Sequence, residues 1–306
     1  MTSGHIPVLV REVLAALRPR PGGMYVDCTV GAGGHTEAIL EAAGPAARVV
    51  GIDRDPEAIR VARSRLERFG DRVELVGGDF RELPRLVPDL PLGGYDGVLF
   101  DLGVSSLQLD DPSRGFGFST EGPLDMRMDR EHGGRTARDL LHELPEGQLT
   151  QIIREYGEER WARQIARGVV TARRQGSLES TRDLAAVVAR AIPRRLWPRR
   201  IHPATRTFQA IRIAVNQELQ GLEGVLEEAT GLLKPGGRIC AIAFHSLEDR
   251  VVKHLFRRLA VAGSIPGVRI LTRHPVTPSP EEIARNPRAR SAKLRAAERR
   301  DIEDDA

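Results

Sequence analysis

Cysteine is scarce in this 306-residue chain: Cys28 and Cys240 are the only two, and each sits inside an apolar run. A disulfide framework is thereby excluded, and a reducing cytoplasm is the simplest compartment. Long apolar stretches are missing as well. None approaches the ~20 consecutive apolar residues of a membrane helix, so no membrane association is expected. The opening Met1-Thr2-Ser3-Gly4-His5 lacks the basic region and apolar run of a secretory signal. Lysine is nearly absent: of 46 basic residues only Lys234, Lys253 and Lys293 are lysine, leaving 43 arginines. Wholesale disorder is excluded too, because 41% hydrophobic and 29% charged residues are ordinary for a globular protein with a core. The length suggests about two domains.

Acid is the other local absence. From Leu184 to Gln217 there is no Asp or Glu, but there are Arg190, Arg194, Arg195, Arg199, Arg200, Arg206 and Arg212. A second basic cluster holds Arg285, Arg288, Arg290, Lys293, Arg295, Arg299 and Arg300, ahead of the acidic tail Asp301–Asp305. A compositional bias toward arginine explains the excess without function. Clustering on a chain of net charge +4 points instead to a polyanionic partner.

The first hundred residues alternate strand and helix patterns. Tyr25–Thr29, Arg48–Asp53, Val73–Val76 and Gly97–Asp101 read as buried strands, and Pro56 opens a helix at a first-turn position. Such alternation implies a doubly wound parallel sheet. From about Ser106 to Thr205 no comparable strand occurs. Glu146 to about Arg174 reads as one helix, and Thr181 caps another over Arg182–Ala191, which marks a helical insertion. The α/β pattern then resumes. Phe208, Ile211, Val215, Leu219, Leu222 and Leu226 recur at helical spacing, as one long helix ending at Lys234-Pro-Gly-Gly237. Arg238–Phe244 is a fifth core strand, Ser246 caps the following helix with Asp249 at its third position, and Val268–Ile302 supplies a terminal hairpin with a basic loop at Asn286–Arg290.

The turn Asp27-x-Thr29-x-Gly31-x-Gly33-Gly34-His35 joins the first strand to its helix. Glycines there let a ligand approach the backbone, and the helix start favours an anion. Asp53 ends the second strand, about 20 residues on, where a carboxylate grips ribose hydroxyls. Two ligands fit so far. A dinucleotide needs a third spaced glycine, where Thr36 stands. S-adenosylmethionine offers a carboxylate to the helix start and an ammonium to Asp27, with Asp79-Phe80 at the adenine. Asp101-Leu102-Gly103 ends the fourth strand at the expected reaction crevice and suits the holding of an exocyclic amine.

Several stretches then combine. They are Asp27–His35, Asp101–Asp110, Arg114-Gly-Phe-Gly-Phe118, Leu124–Asp129, Glu155–Arg160, His202–Gln209, Phe244–Arg250 and Asn286–Arg295. In this order, from His5 to Arg300, the chain resembles the MraW (RsmH) family of ribosomal RNA small-subunit methyltransferases. The resemblance implies an α/β class I (Rossmann-like) methyltransferase fold with an inserted all-helical domain. The methyltransferase domain then takes 1–105 and 206–306, and the insertion, for RNA recognition, takes 106–205. It implies S-adenosyl-L-methionine as methyl donor and N4 of a decoding-centre cytidine (cytidine 1402) of 16S rRNA, in the small ribosomal subunit, as acceptor. The family's cofactor contacts fall on Gly33, Gly34, His35, Asp53, Phe80, Asp101 and Gln108. Departures are confined to Ala243, Ile211 and Leu107, where the family favours serine, leucine and proline.

Much of the expected catalysis is alignment of a poorly nucleophilic amine, with Asp101 holding the amine or the donor. His245 reads as structural rather than as a base, and no metal is expected. Arg114, the acid-free stretch with Trp197, and Arg288 and Arg290 are candidate phosphate contacts; Phe116 and Phe118 are candidate base-stacking rings. Two rivals use the same features: an NAD-dependent oxidoreductase, and a non-catalytic RNA-binding assembly factor. The oligomeric state is left open, a homodimer included.

Overall fold

The structure, a computed structural model, describes residues 7–87, 94–261, 263–264 and 267–301. Expectations that fall on His5, Ile302 and the acidic tail beyond Asp301 lie outside them. In chain order the elements are α1 (Val10–Leu17), β1 (Met24–Asp27), α2 (Gly34–Ala43), β2 (Arg48–Asp53), α3 (Pro56–Leu66), β3 (Val73–Gly77), α4 (Leu83–Leu86) and β4 (Tyr95–Asp101). The helices α5 (Ser106–Asp110), α6 (Ala137–Glu143), α7 (Glu146–Gly157), α8 (Ala162–Arg174), α9 (Thr181–Ala191) and α10 (Thr205–Asn216) follow. Then come α11 (Leu222–Gly231), β5 (Leu233–Ala243), α12 (Ser246–Leu259), β6 (Val268–Ile270), α13 (Pro280–Arg285) and β7 (Lys293–Arg299).

The chain forms two compact units, one of residues 1–103 and 219–306 and the other of 104–218. In the first, seven strands lie in the order β3-β2-β1-β4-β5-β7-β6. β1 to β5 are parallel, and β7 runs antiparallel to both β5 and β6. This is the doubly wound sheet expected from the alternating pattern. The order reverses between β1 and β4, and ligands bind outside the carboxyl ends of strands at such a switch point. The sequence explains the strands: Tyr95 to Phe100 of β4 are all buried, as a strand covered on both faces must be. The edge strand β3 has no fully buried residue. Pro56 does open α3, with the Asp55 carboxylate accepting from the Glu57 N–H at 3.1 Å. Both cysteines are buried and free, and burial pushes the Cys240 thiol up to about 12, so neither is reactive.

The second unit is helical and has its own core, which includes Leu149, Ile153, Ile165, Val169, Leu184 and Val188. It extends past the expected boundary at 205/206. Phe208 and Ile211 of α10 belong to this core rather than to the sheet, so the return point lies at Glu218. Two long helices expected from periodicity are each broken. Glu158 (φ 48°) separates α7 from α8, and Gln217 (φ 52°) ends α10 before α11. An apolar period continues across a left-handed residue because the pattern records burial, not backbone continuity. Caps are offset by one residue at two sites. Ser180, not Thr181, caps α9 with Asp183, and His245, not Ser246, caps α12 with Glu248.

Candidate active site

The carboxyl ends of β1, β2 and β4 bring the motif residues together. Gly33 caps α2 at φ +82°, and a Cβ there would sit 3.0 Å from Leu66 Cδ1, so only glycine fits. No side chain caps α2, which leaves the N–H groups of Gly34, His35 and Thr36 as the uncapped, electropositive start of a ten-residue helix. At Gly31 a Cβ would meet nothing nearer than 3.8 Å, so the turn is open there. Asp53 is tied to this turn: one oxygen accepts from the Gly31 N–H at 2.9 Å, the other from the Asp55 N–H at 2.9 Å. Burial raises its carboxyl from 3.8 to about 6, against those two hydrogen bonds.

Asp101 ends β4, and its N–H donates to Thr29 Oγ1 at 2.6 Å. Its side chain is 22% exposed, and Oδ2 lies 3.5 Å from Nε2 of the buried His35. Among the described residues, Asp101 Oδ1 and both ring nitrogens of His35 are buried without a hydrogen-bond partner. Burial lowers the His35 pKa, but Asp101, Asp27 and Glu282 outweigh it, and the net shift is upward. The imidazolium–carboxylate pair therefore stabilises the unit below the ordinary histidine pKa and is lost as pH rises through the raised value.

Phe80 follows β3 and packs edge-on against Phe100 of β4, centroids 5.7 Å apart, with part of its ring exposed. Asp79 beside it is committed to Arg81 and Arg54, which hold its carboxyl below the usual range despite partial burial. Asp27 is also committed. It is buried, accepting from Thr36 Oγ1 at 2.8 Å and the Thr29 N–H at 3.2 Å, so it organises the turn instead of offering itself to an ammonium. Thr29, Thr36 and Glu282 are the site's unheralded members. The threonines lie inside the motif but carry no charge, and Glu282 reaches the Leu9 N–H at 2.7 Å from far along the chain.

The helical unit treats its motif residues differently. Gln108 is buried and closes the capping box of α5 with Ser105, accepting from its N–H at 3.0 Å. Arg114 is a correction to the phosphate reading. It is 6% exposed and donates to the carbonyls of Arg127 (3.1 Å) and Met128 (2.8 Å), so the guanidinium ties a loop down. Phe116 likewise belongs to the core, and Phe118 packs between His202 (4.7 Å) and Phe208 (4.8 Å) instead of standing free. What is exposed is Arg194, Arg195, Arg199 and Arg200, around a half-buried Trp197 whose Nε1–H donates to Ile192 O. In the sheet unit Arg288 and Arg290 are exposed, while Arg295 and Lys293 pair with Asp249. His245 is structural: its Nδ1 accepts from the Glu248 N–H.

A profile of the MraW methylase family matches residues 2–300. The chain belongs to the MraW methylase family. The ribosomal RNA small subunit methyltransferase H of Geobacter sulfurreducens is 55% identical over 311 residues, covering 98% of this chain and all of that protein. Proteins of the same name from Trichlorobacter lovleyi (53% over 307 residues, 96% and 98% covered) and Heliobacterium modesticaldum (49% over 312 residues, 98% and 99% covered) are similarly close.

The residues fit an S-adenosylmethionine. The uncapped start of α2 suits its carboxylate, Asp53 its ribose hydroxyls, Phe80 its adenine, and the unmatched Asp101 oxygen a donor hydrogen near the reacting centre. A dinucleotide is the poorer match, because Thr36 is locked to Asp27 where a third glycine would let pyrophosphate approach.

Proposed function

We propose that this chain methylates N4 of a cytidine in 16S rRNA, in the small ribosomal subunit at the decoding centre (cytidine 1402), using S-adenosylmethionine in the cytoplasm. The observation that carries the reading is the carboxylate of Asp101: partly exposed at the switch point, with one buried oxygen lacking a partner. When bound, S-adenosylmethionine supplies an electrophilic methyl group on a sulfonium. The amine nitrogen gains that methyl and loses one proton, so the chain must align the amine and accommodate the proton.

Asp101 accepts from the exocyclic NH2, which fixes the nitrogen's direction. Positioning of this kind is worth up to ~7–11 kcal/mol of barrier. His35, ion-paired to the other oxygen of Asp101, keeps the carboxylate oriented, and Thr29 fixes the backbone beneath it. A base inside an RNA structure must leave its stack to enter such a site, at a cost of a few kcal/mol. Exposed Arg194, Arg195, Arg199 and Arg200 in the helical unit, and Arg288 and Arg290 in the sheet unit, supply phosphate contacts that offset this cost.

Incubation with small subunits and S-adenosylmethionine, followed by mass spectrometry of rRNA fragments, tests the reading. The expected product is one added methyl on a decoding-centre cytidine, on N4. Unmodified rRNA, or a methyl on another base, overturns it.

A further inference from the structure

At the β6 edge of the sheet unit, α12 and the chain following β6 line a cavity of about 290 Å³. Lys253 and Arg257 reach it from α12, one turn apart, and Arg273 and His274 from the segment after β6. Phe256 and Ile270 form an apolar wall, and no carboxylate lines it. The surrounding arginines are neutralised: Arg258 by Glu223 and Glu227, Arg269 and Arg238 by Glu298, and Arg295 by Asp249. The side chains of Lys253, Arg257, Arg273 and His274 form no hydrogen bond or ion pair among the described residues. Like charges at i and i+4 on a helix repel, so a chain that pairs its other cations here keeps three together around a hollow at a cost in stability.

We propose that this cavity is a phosphate-binding site for the backbone of an RNA strand. A phosphodiester fits three converging cations, and its ribose fits the apolar wall of Phe256 and Ile270. Arg257, Arg273 and His274 are exposed at the rim, which suits a strand passing through better than an enclosed small ligand. The choice of RNA over a free polyphosphate rests on the reaction proposed above. The site draws on residues that no basic run in the sequence contains.

The test compares the full-length protein with Lys253→Gln/Arg257→Gln/Arg273→Gln in filter binding to a decoding-region rRNA fragment across a range of KCl. Each phosphate contact contributes about 0.7–0.9 to the slope of log affinity against log salt. The triple variant is expected to bind at least about 10-fold more weakly at moderate salt, with a slope smaller by about 2. Its S-adenosylmethionine affinity should be unchanged. The charge-preserving Lys253→Arg/Arg257→Lys/Arg273→Lys should retain most RNA affinity. If the triple variant fails to fold, Arg273→Gln alone, at an exposed loop position, should lower the slope by about 0.7.

Unaltered RNA affinity and slope with intact cofactor binding would overturn the proposal. So would tripolyphosphate binding that the substitutions abolish while RNA affinity stays the same, or equal loss in the charge-preserving variant. An unsubstituted protein that binds RNA through these residues but methylates nothing would refute the proposed reaction and leave this site standing.

Discussion

In the sheet unit, Asp101 Oδ1 and His35 Nδ1 are buried without a hydrogen-bond partner, beside the ion pair of Asp101 Oδ2 with His35 Nε2. In the helical unit, Arg114 donates to two backbone carbonyls, Asn216 bridges the carbonyl of Met126 and the N–H of Met128, and Gln108 closes a cap. An unmatched buried polar atom costs roughly 1–3 kcal/mol, so the unmatched atoms of Asp101 and His35 weaken the fold locally, as do Thr207 Oγ1 and Trp161 Nε1 in the helical unit, whereas the hydrogen bonds of Arg114, Asn216 and Gln108 strengthen it. Motif residues therefore divide into two kinds: those kept ready for a ligand, and those that make an otherwise irregular segment hold one shape. Polarity within a motif does not by itself distinguish them.

The comparison breaks most visibly at Arg114 and Asp53. Arg114→Ala leaves two carbonyls and a loop untied, and should destabilise the protein by about 2–4 kcal/mol, read as a lower urea midpoint at unchanged slope. A variant of unaltered stability whose RNA binding had a salt slope smaller by about 0.7–0.9 would return Arg114 to the phosphate contacts. Asp53→Asn sets an NH2 against the Gly31 or Asp55 N–H and should cost about 1–3 kcal/mol of stability, while weakening S-adenosylmethionine by about 100-fold through the loss of charge-assisted bonds to the ribose hydroxyls, as measured by calorimetry on the folded variant.

The pH dependence sharpens the same point. On the proposed reading ribose hydroxyls donate to the ionised Asp53 carboxylate, and burial sets that carboxyl at about 6. Donor affinity should therefore hold above pH 6 and fall by about tenfold per unit below it, instead of holding down to pH 4. Asp53→Asn should abolish that dependence.

Much of this architecture is legible in the sequence, and the exceptions have physical causes. The parallel sheet follows from apolar runs that end in Asp27, Asp53 and Asp101, and those same endings mark the reaction edge. Asp27 turns inward because Thr36, one helical turn into α2, satisfies it, and a motif does not show which of its carboxylates is already matched. The boundary at Glu218 is hidden because α10 and α11 continue one apolar period although they bury against different cores. Arg114, Phe116 and Phe118 look like an RNA-facing motif because arginine and aromatic residues serve buried loops and bases equally well.

The smallest expected effect on folding comes from the exposed surface of the helical unit. Gln at Arg194, Arg195, Arg199 and Arg200 should change stability by less than about 0.5 kcal/mol per site. It should lower the salt slope of RNA binding by about 3, the reverse of the Arg114 outcome. A flat salt response in the unsubstituted protein would remove the phosphate contacts altogether.

Asp101 carries the proposed chemistry, and a single-turnover experiment reaches it directly. With saturating S-adenosylmethionine and small subunits, Asp101→Asn should slow methyl transfer by at least about 100-fold. The protein should remain folded and able to bind the rRNA. Methyl transfer at the unsubstituted rate under those conditions would contradict the role assigned to this carboxylate.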